Sequence, residues 1–185
     1  QSTTMGIHQY YGANDVRRVH NLGQLFDGDL NNFVEFSDYQ HKDGEIVMKL
    51  GTTRQVKKIR AYIQDAERNY LRDGKIQVSE DGKNWTDVVT VGDGVENEIH
   101  DDSLTDGWTH DASNPGNRYI EGVLETPVTA KFMRGLFTAE YTARFVGFSE
   151  IVINDGEFIN PENNPTVTGT GAEDHDNLKK SMADG

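Results

Sequence analysis

Apolar positions along this chain cluster in segments of strand length, alternating with polar residues or running short and uninterrupted. They occupy residues 45–50 (EIVMKL), 56–63 (VKKIRAYI), 75–79 (KIQVS), 85–91 (WTDVVTV), 118–124 (RYIEGVL), 130–137 (AKFMRGLF) and 150–153 (EIVI). Turn chemistry separates them: KDG at 42–44, RDG at 72–74, EDGKN at 80–84, VGDG at 91–94 and NPG at 114–116. Seven or more short strands at this spacing predict an all-β chain, an antiparallel β-sandwich with long connecting loops. Long Ala/Leu/Glu/Lys runs are absent, and no internal repeat is visible.

The two ends differ from this pattern. Residues 1–24 are the least periodic part, with 16–22 readable as a short helix or as a loop. From residue 155 onward the chain is polar, acidic and rich in Pro, Gly and Asn, as expected of a linker or the start of a following domain. The predicted organisation is therefore one sandwich over residues 1–154 and a flexible acidic segment over 155–185.

Charge narrows the partners. Lys and Arg number 18 against 31 Asp and Glu, a net charge of −13. The segment after residue 154 carries −5 of this, so the body remains strongly acidic. Such a body lacks the basic patch that nucleic-acid phosphates or an anionic membrane surface require. With no cysteine, disulfides and thiolate metal sites are ruled out. No apolar run reaches the roughly 18 residues of a membrane span. The six histidines show no HExxH-type spacing, and no P-loop, dinucleotide or nucleophile-elbow fingerprint appears.

The densest candidate chemistry is LFDGDLNNFVEF at 25–36, where Asp27, Asp29 and Asn32 fall on one bend. Hard oxygen ligands of this kind suit Ca²⁺. An EF-hand loop is a poor match, because its sixth position would be Asn32 instead of glycine. A glycosidase acid pair needs carboxyl groups about 5–10 Å apart, which neighbouring turn residues rarely provide. A plain Asp-Gly surface turn remains the simple alternative.

A wider set of residues adds to this. Asp27-Gly28-Asp29, Lys49-Leu50-Gly51, the run Val78 to Trp85 (VSEDGKNW), Arg118-Tyr119-Ile120 and Ser149-Glu150-Ile151 follow one another in order. In that order they resemble the F5/8 type C (discoidin-like) domains, and most closely the family 32 carbohydrate-binding modules. The resemblance spans about residues 22–154 and implies a jelly-roll-like β-sandwich. It also implies a structural Ca²⁺, held by side chains of Asp27, Asn32 and Glu150 and backbone oxygens of Gln24, Asp29 and Ser149. The family usually has Thr where Asn32 stands.

In that family the sugar site lies on loops at one end of the sandwich, close to the metal. The corresponding loops here carry Glu35, with Tyr39 and His41 after it; Asp65, Arg68 and Asn69; and Phe145 at the sugar-stacking position. Galactose-binding relatives have Trp-His where Val34-Glu35 stand, so the missing histidine favours an N-acetylhexosamine, of the N-acetylglucosamine type, over simple galactose. Trp108, a large ring in a polar loop, and Tyr10 are further stacking candidates. Each has a plain structural reading too: Phe145 and Trp108 as core, Glu35 as a surface residue, Arg68 as a solvated ion pair with Glu67. Trp85 reads as hairpin core.

The resemblance implies a non-catalytic module of a larger secreted, bacterial glycoside hydrolase. It would be monomeric within a multidomain chain and would bind glycans with galactose or N-acetylhexosamine termini. A discoidin-like adhesion or protein-binding domain is the alternative. The acidic loop residues Asp65, Glu67 and Glu140 count against a lipid partner.

Overall fold

The computed structural model describes residues 7–11, 22–36, 39–94, 106–141, 144–154 and 166–167. Ten strands follow in chain order: β1 (Ile7–Tyr11), β2 (Phe33–Phe36), β3 (Glu45–Gln64), β4 (Gly74–Ser79), β5 (Thr86–Val91), β6 (Thr109–His110), β7 (Asn117–Phe137), β8 (Val146–Phe148), β9 (Glu150–Ile153) and β10 (Thr166–Val167). A single 3-10 turn at Leu22–Phe26 is the only helical element among the described residues. No helix among them is long and apolar enough to cross a membrane.

All strand pairings are antiparallel. β1, β2 and β8 form a small sheet, and the large sheet runs β10-β3-β7-β4-β5, with β9 added beside β3 and β6 beside β7. One apolar cluster draws on both sheets, including Val34, Phe36 and Val146 from the small one and Ile59, Ile63, Met133 and Phe137 from the large one. The all-β sandwich expected from the alternation is thus the observed architecture. Burying a side chain such as Phe36 or Ile59 completely is worth about 1.5–3 kcal/mol.

Two strands are longer than the sequence pattern suggests. Segments 45–50 and 56–63 join into β3, and 118–124 and 130–137 join into β7. The joints are bulges. Between the pairs Lys49↔Phe132 and Arg54↔Ala130, β3 advances five positions while β7 advances two. Between Val56↔Val128 and Lys58↔Val123 the imbalance reverses. Side-chain parity switches accordingly: Ile46, Met48, Leu50 and Val56 are buried before the second bulge, and Ile59, Ala61 and Ile63 after it. Pro127, which has no N–H to donate, sits where the ladder is interrupted.

Other expectations shift in detail. The 7–11 segment, within the stretch read as aperiodic, pairs with β2 as β1. Residues 12–21, which include most of the possible helix at 16–22, lie outside the described residues. Trp85 is half-buried instead of core: it precedes β5, and the Arg134 guanidinium lies 4.3 Å above its ring. The EDGKN hairpin forms as expected. Asp81 accepts hydrogen bonds from the Lys83 and Asn84 amides, both 2.8 Å, and from Asn84 Nδ2 and Ser79 Oγ. Those bonds hold its carboxyl well below the usual carboxylate range. Within 155–185, Thr166 and Val167 pair with Lys49 and Met48, and the rest lies outside the described residues.

Candidate functional site

The acidic bend starts from two anchors. Leu25 and Phe26, at the end of the 3-10 turn, are buried in the core, while Asp27 and Gly28 are exposed. Gly28 takes φ 81°, a left-handed conformation costly for other residues, so the chain can double back directly after Asp27. Asp27 Oδ1 accepts the Asp29 amide at 2.9 Å, and Asp29 Oδ1 accepts the Asn31 amide at 2.9 Å. Asn32 Nδ2 donates to Asp27 Oδ2 at 3.0 Å. From β3, Gln64 Nε2 donates to the carbonyls of Leu30 and Asn31, which fastens the bend to the large sheet.

Glu150, the first residue of β9, meets this bend from the other end of the sequence. It is 1 % exposed, and neither carboxylate oxygen has a hydrogen-bond partner; Ser149 Oγ is likewise buried without one. Burial, and secondarily the Asp27 charge, push the Glu150 carboxyl up to about 10, while the nearby Gly28 and Ile151 amides oppose the shift. Asp27 is raised too, chiefly by burial. A buried carboxyl group without donors beside a second carboxyl, as Glu150 is beside Asp27, is expensive unless protonated or neutralised by a cation.

The side chains that meet here, the carboxyl groups of Asp27 and Glu150 and the Asn32 amide, are oxygen groups of the kind a hard cation takes. Among the described residues no three His, Cys, Asp or Glu side chains converge, so a site here must draw on amide and carbonyl oxygen. Gln24 lies in the 3-10 turn, and its side chain is outside the described set.

The loop rim beside the bend gathers most of the other candidates. Glu35 sits mid-strand in β2, opposite Gly147 of β8, and is 3 % exposed instead of lying on the surface. Asn69 Nδ2 donates to Glu35 Oε2 at 2.6 Å, and the Asn69 carbonyl accepts the Gly147 amide at 2.8 Å. Burial raises the Glu35 carboxyl, partly offset by the Asn69 hydrogen bond. Arg68 is exposed on the same loop, and Glu67 Oε1 accepts both the Arg68 and Asn69 amides at 3.0 Å. Phe145 is half-buried instead of core, and its ring lies 4.9 Å from that of Tyr39, tilted 33°. Tyr39 is 41 % exposed, so the pair offers an aromatic face to solvent.

Gln40 holds the rim together. Its side chain is fully buried; Nε2 donates to the carbonyls of Tyr70 (2.9 Å) and Phe145 (3.1 Å), and Oε1 accepts the Arg72 amide (3.2 Å). Its backbone forms a two-way bridge with Tyr141. Three loops, around residues 40, 70 and 145, are thereby fixed to one amide. Arg72, 1 % exposed, stacks 4.0 Å over the Tyr70 ring and donates to the Tyr70 and Arg68 carbonyls. At the outer edge His41 Nδ1 and Glu140 Oε1 lie 2.7 Å apart, and the Lys42 amide donates to Glu140 Oε2. These contacts draw the Glu140 carboxyl below its usual range, the His41 hydrogen bond first.

Two sequence candidates, Trp108 and Asp65, are placed elsewhere. Trp108 is 2 % exposed; its Nε1 donates to the Leu71 carbonyl at 2.9 Å, and its ring packs against Tyr70 and Phe148. It is therefore a core residue and not a stacking platform, because the loop folds the indole inward to a buried acceptor. Asp65 turns to Arg118, 3.2 Å away, and lies 3.6 Å from His110, so it belongs to the β6–β7 end. Tyr10 pairs with Val34 in β1, and its side chain is outside the described set. Sequence reasoning missed Gln40 and Arg72: both are polar residues in loop segments, and only the fold shows them buried.

Comparison with known proteins agrees with the β-sandwich fold. No curated protein matches the chain. Among solved structures, the first carbohydrate-binding module, CBM32-1, of a family 31 glycoside hydrolase from Clostridium perfringens superposes with a TM-score of 0.52 at 12 % identity. That match covers 82 % of this chain and 94 % of the other. The family 32 module of C. perfringens NanJ, solved with galactose, gives a TM-score of 0.45 at 13 % identity, covering 71 % and 82 %. At such identity these likenesses speak for the fold, and the second is too distant to add to it. The sequence pattern of the F5/8 type C domain matches residues 13–151, most of the chain. The chain belongs to the F5/8 type C domain family.

Proposed function

We propose that this chain is a non-catalytic carbohydrate-binding module that takes galactose- or N-acetylhexosamine-terminated glycans at the Tyr39–Phe145 rim, as part of a secreted glycoside hydrolase. The observation that carries the reading is the partly exposed aromatic pair on the rim that also holds the Glu35–Asn69 hydrogen bond, with all three rim loops clamped by Gln40. A pyranose needs an apolar face to stack on and a few fixed polar groups for its hydroxyls. The rings of Phe145 and Tyr39 provide the face. Asn69 and Arg68 provide polar groups around it.

Glu35 is an acceptor where galactose-binding relatives carry histidine, which favours a ligand with an N–H to donate, such as an N-acetylglucosamine-type unit. In this reading Ca²⁺ lies between Asp27, Asn32 and Glu150, with backbone oxygens of Gln24, Asp29 and Ser149. When bound it supplies the positive charge that the two carboxylates lack. The protein residues fix the bend against β9, so that binding free energy becomes folding free energy. Tethered to an enzyme, a weak module still raises residence time through effective concentration.

Isothermal titration against galactose, N-acetylgalactosamine, N-acetylglucosamine and their disaccharides tests this. We expect dissociation constants on the order of 0.01–1 mM, tightest for an N-acetylhexosamine and abolished by Phe145→Ala. Strict terminal-galactose binding on a glycan array would overturn the N-acetylhexosamine preference. Binding to a protein partner that free monosaccharide does not compete would support the adhesion alternative instead.

A further inference from the structure

At the second bulge pair of β3 and β7, the broken ladder opens a cavity of about 510 Å³, lined by Gln55, Lys57, Lys58, Val123, Pro127 and Asn154. Its volume lies within the range of small-ligand sites. One wall is rigid: Asn154, at φ 59°, accepts the Lys57 and Lys58 amides on Oδ1 and donates from Nδ2 to the Gln55 carbonyl at 3.0 Å. Its own amide donates to the Lys58 carbonyl at 2.7 Å. The apolar side is Pro127 together with Val123, which is 60 % exposed.

Its charge contrasts with the rest of the chain. Two adjacent lysines border the cavity on a protein of net charge −13. Lys58 is 3.6 Å from Glu121, whereas Lys57 has no ion-pair partner among the described residues. Gln55 Nε2 donates to Thr129 Oγ1, which leaves its Oε1 to accept from a hydroxyl.

We propose that this cavity is a second ligand site, separate from the Phe145 rim, for a carboxylate-bearing sugar unit of the hexuronate type. The carboxylate pairs with Lys57, the apolar ring face lies on Val123 and Pro127, and a ring hydroxyl donates to Gln55 Oε1. A neutral sugar lacks the charge that pairs with Lys57, and a bare carboxylate lacks the ring face that packs on Val123.

The test is an amide-resolved NMR titration of the full chain with sodium glucuronate, run beside sodium acetate and methyl glucoside at fixed ionic strength. Saturable shifts at residues 55–58, 123 and 154 are expected, with a dissociation constant on the order of 1 mM. Lys57→Gln should weaken binding at least about fivefold, and Val123→Asp, on an exposed strand position, should abolish it. Phe145→Ala should leave it unchanged, so failure here is separable from failure at the rim. Unsaturated shifts of equal size with acetate, shifts confined to the rim, or unchanged affinity in Lys57→Gln would each overturn the proposal.

Discussion

Replacing Gln40 with leucine should damage stability and ligand binding together. The side chain is fully buried, and the substitution removes three hydrogen bonds: to the Tyr70 carbonyl, to the Phe145 carbonyl and from the Arg72 amide. The Tyr70 carbonyl keeps the Arg72 Nη1 donor at 3.2 Å, so most of the cost falls on the other two. At about 1 kcal/mol per buried hydrogen bond, with a further desolvation penalty where a polar group is stranded, the loss should be about 3 kcal/mol. For a chain of this size that is a fall in Tm of about 6–12 °C.

Differential scanning calorimetry measures the stability loss. Titration with the tightest-binding saccharide, run well below the variant's melting temperature, measures the second effect. Phe145 loses the bond that fixes its backbone, so affinity should drop about tenfold even where the protein is fully folded. A variant that melts lower yet binds normally would show that the clamp serves only the core. One that melts within about 2 °C of the parent would refute the claim that these bonds hold the rim.

In metal-free protein the raised Glu150 carboxyl keeps its proton in the folded state at pH values where the unfolded chain has lost it. Stability in EDTA should therefore fall as pH rises from about 5 to 8, by at most about 1.4 kcal/mol per pH unit. With Ca²⁺ present the trend should weaken or reverse, because protons compete with the metal; identical melting profiles would argue against a cation there. Gly122→Ala places a methyl group 1.6 Å from the Val88 carbonyl oxygen, so backbone must move. Urea denaturation should show a loss of about 3 kcal/mol or more. Trp108→Phe should cost about 1–3 kcal/mol through the lost bond to the Leu71 carbonyl, with glycan binding unchanged; a selective loss of binding would return Trp108 to the rim.

The strands were legible because their alternation is dictated by one buried face, as in Ile46, Met48 and Leu50. The EDGKN turn was legible because its chemistry is local: Asp81 needs only residues 79–84 to complete its bonds. β1 was not, since its pairing depends on β2 and not on its own periodicity. The long strands were hidden as well, because the apolar alternation breaks across LGTTRQ and LETPVT, which the fold uses as bulges. At the rim, Glu35 and Asn69 could be named separately, but their 2.6 Å contact joins residues 34 positions apart. Trp108, a ring among polar neighbours, and Gln40, an amide between Tyr39 and His41, are both buried. Burial is a property of the assembled sheets, which neither local context reveals.

The opposed bulges also affect how this domain can change length. The register gained by β3 before Arg54 is returned by β7 before Lys58, so both ends of the ribbon keep the same alignment. The end at Glu45↔Leu136, where β4 joins β7, and the end facing the acidic bend, at Gln64↔Asn117, are therefore insulated from the middle. Matched insertions or deletions within residues 50–53 and 124–127 would be absorbed as slack. The same edit made in only one strand would slide one end past the other and pull Gln64 off the bend it fastens.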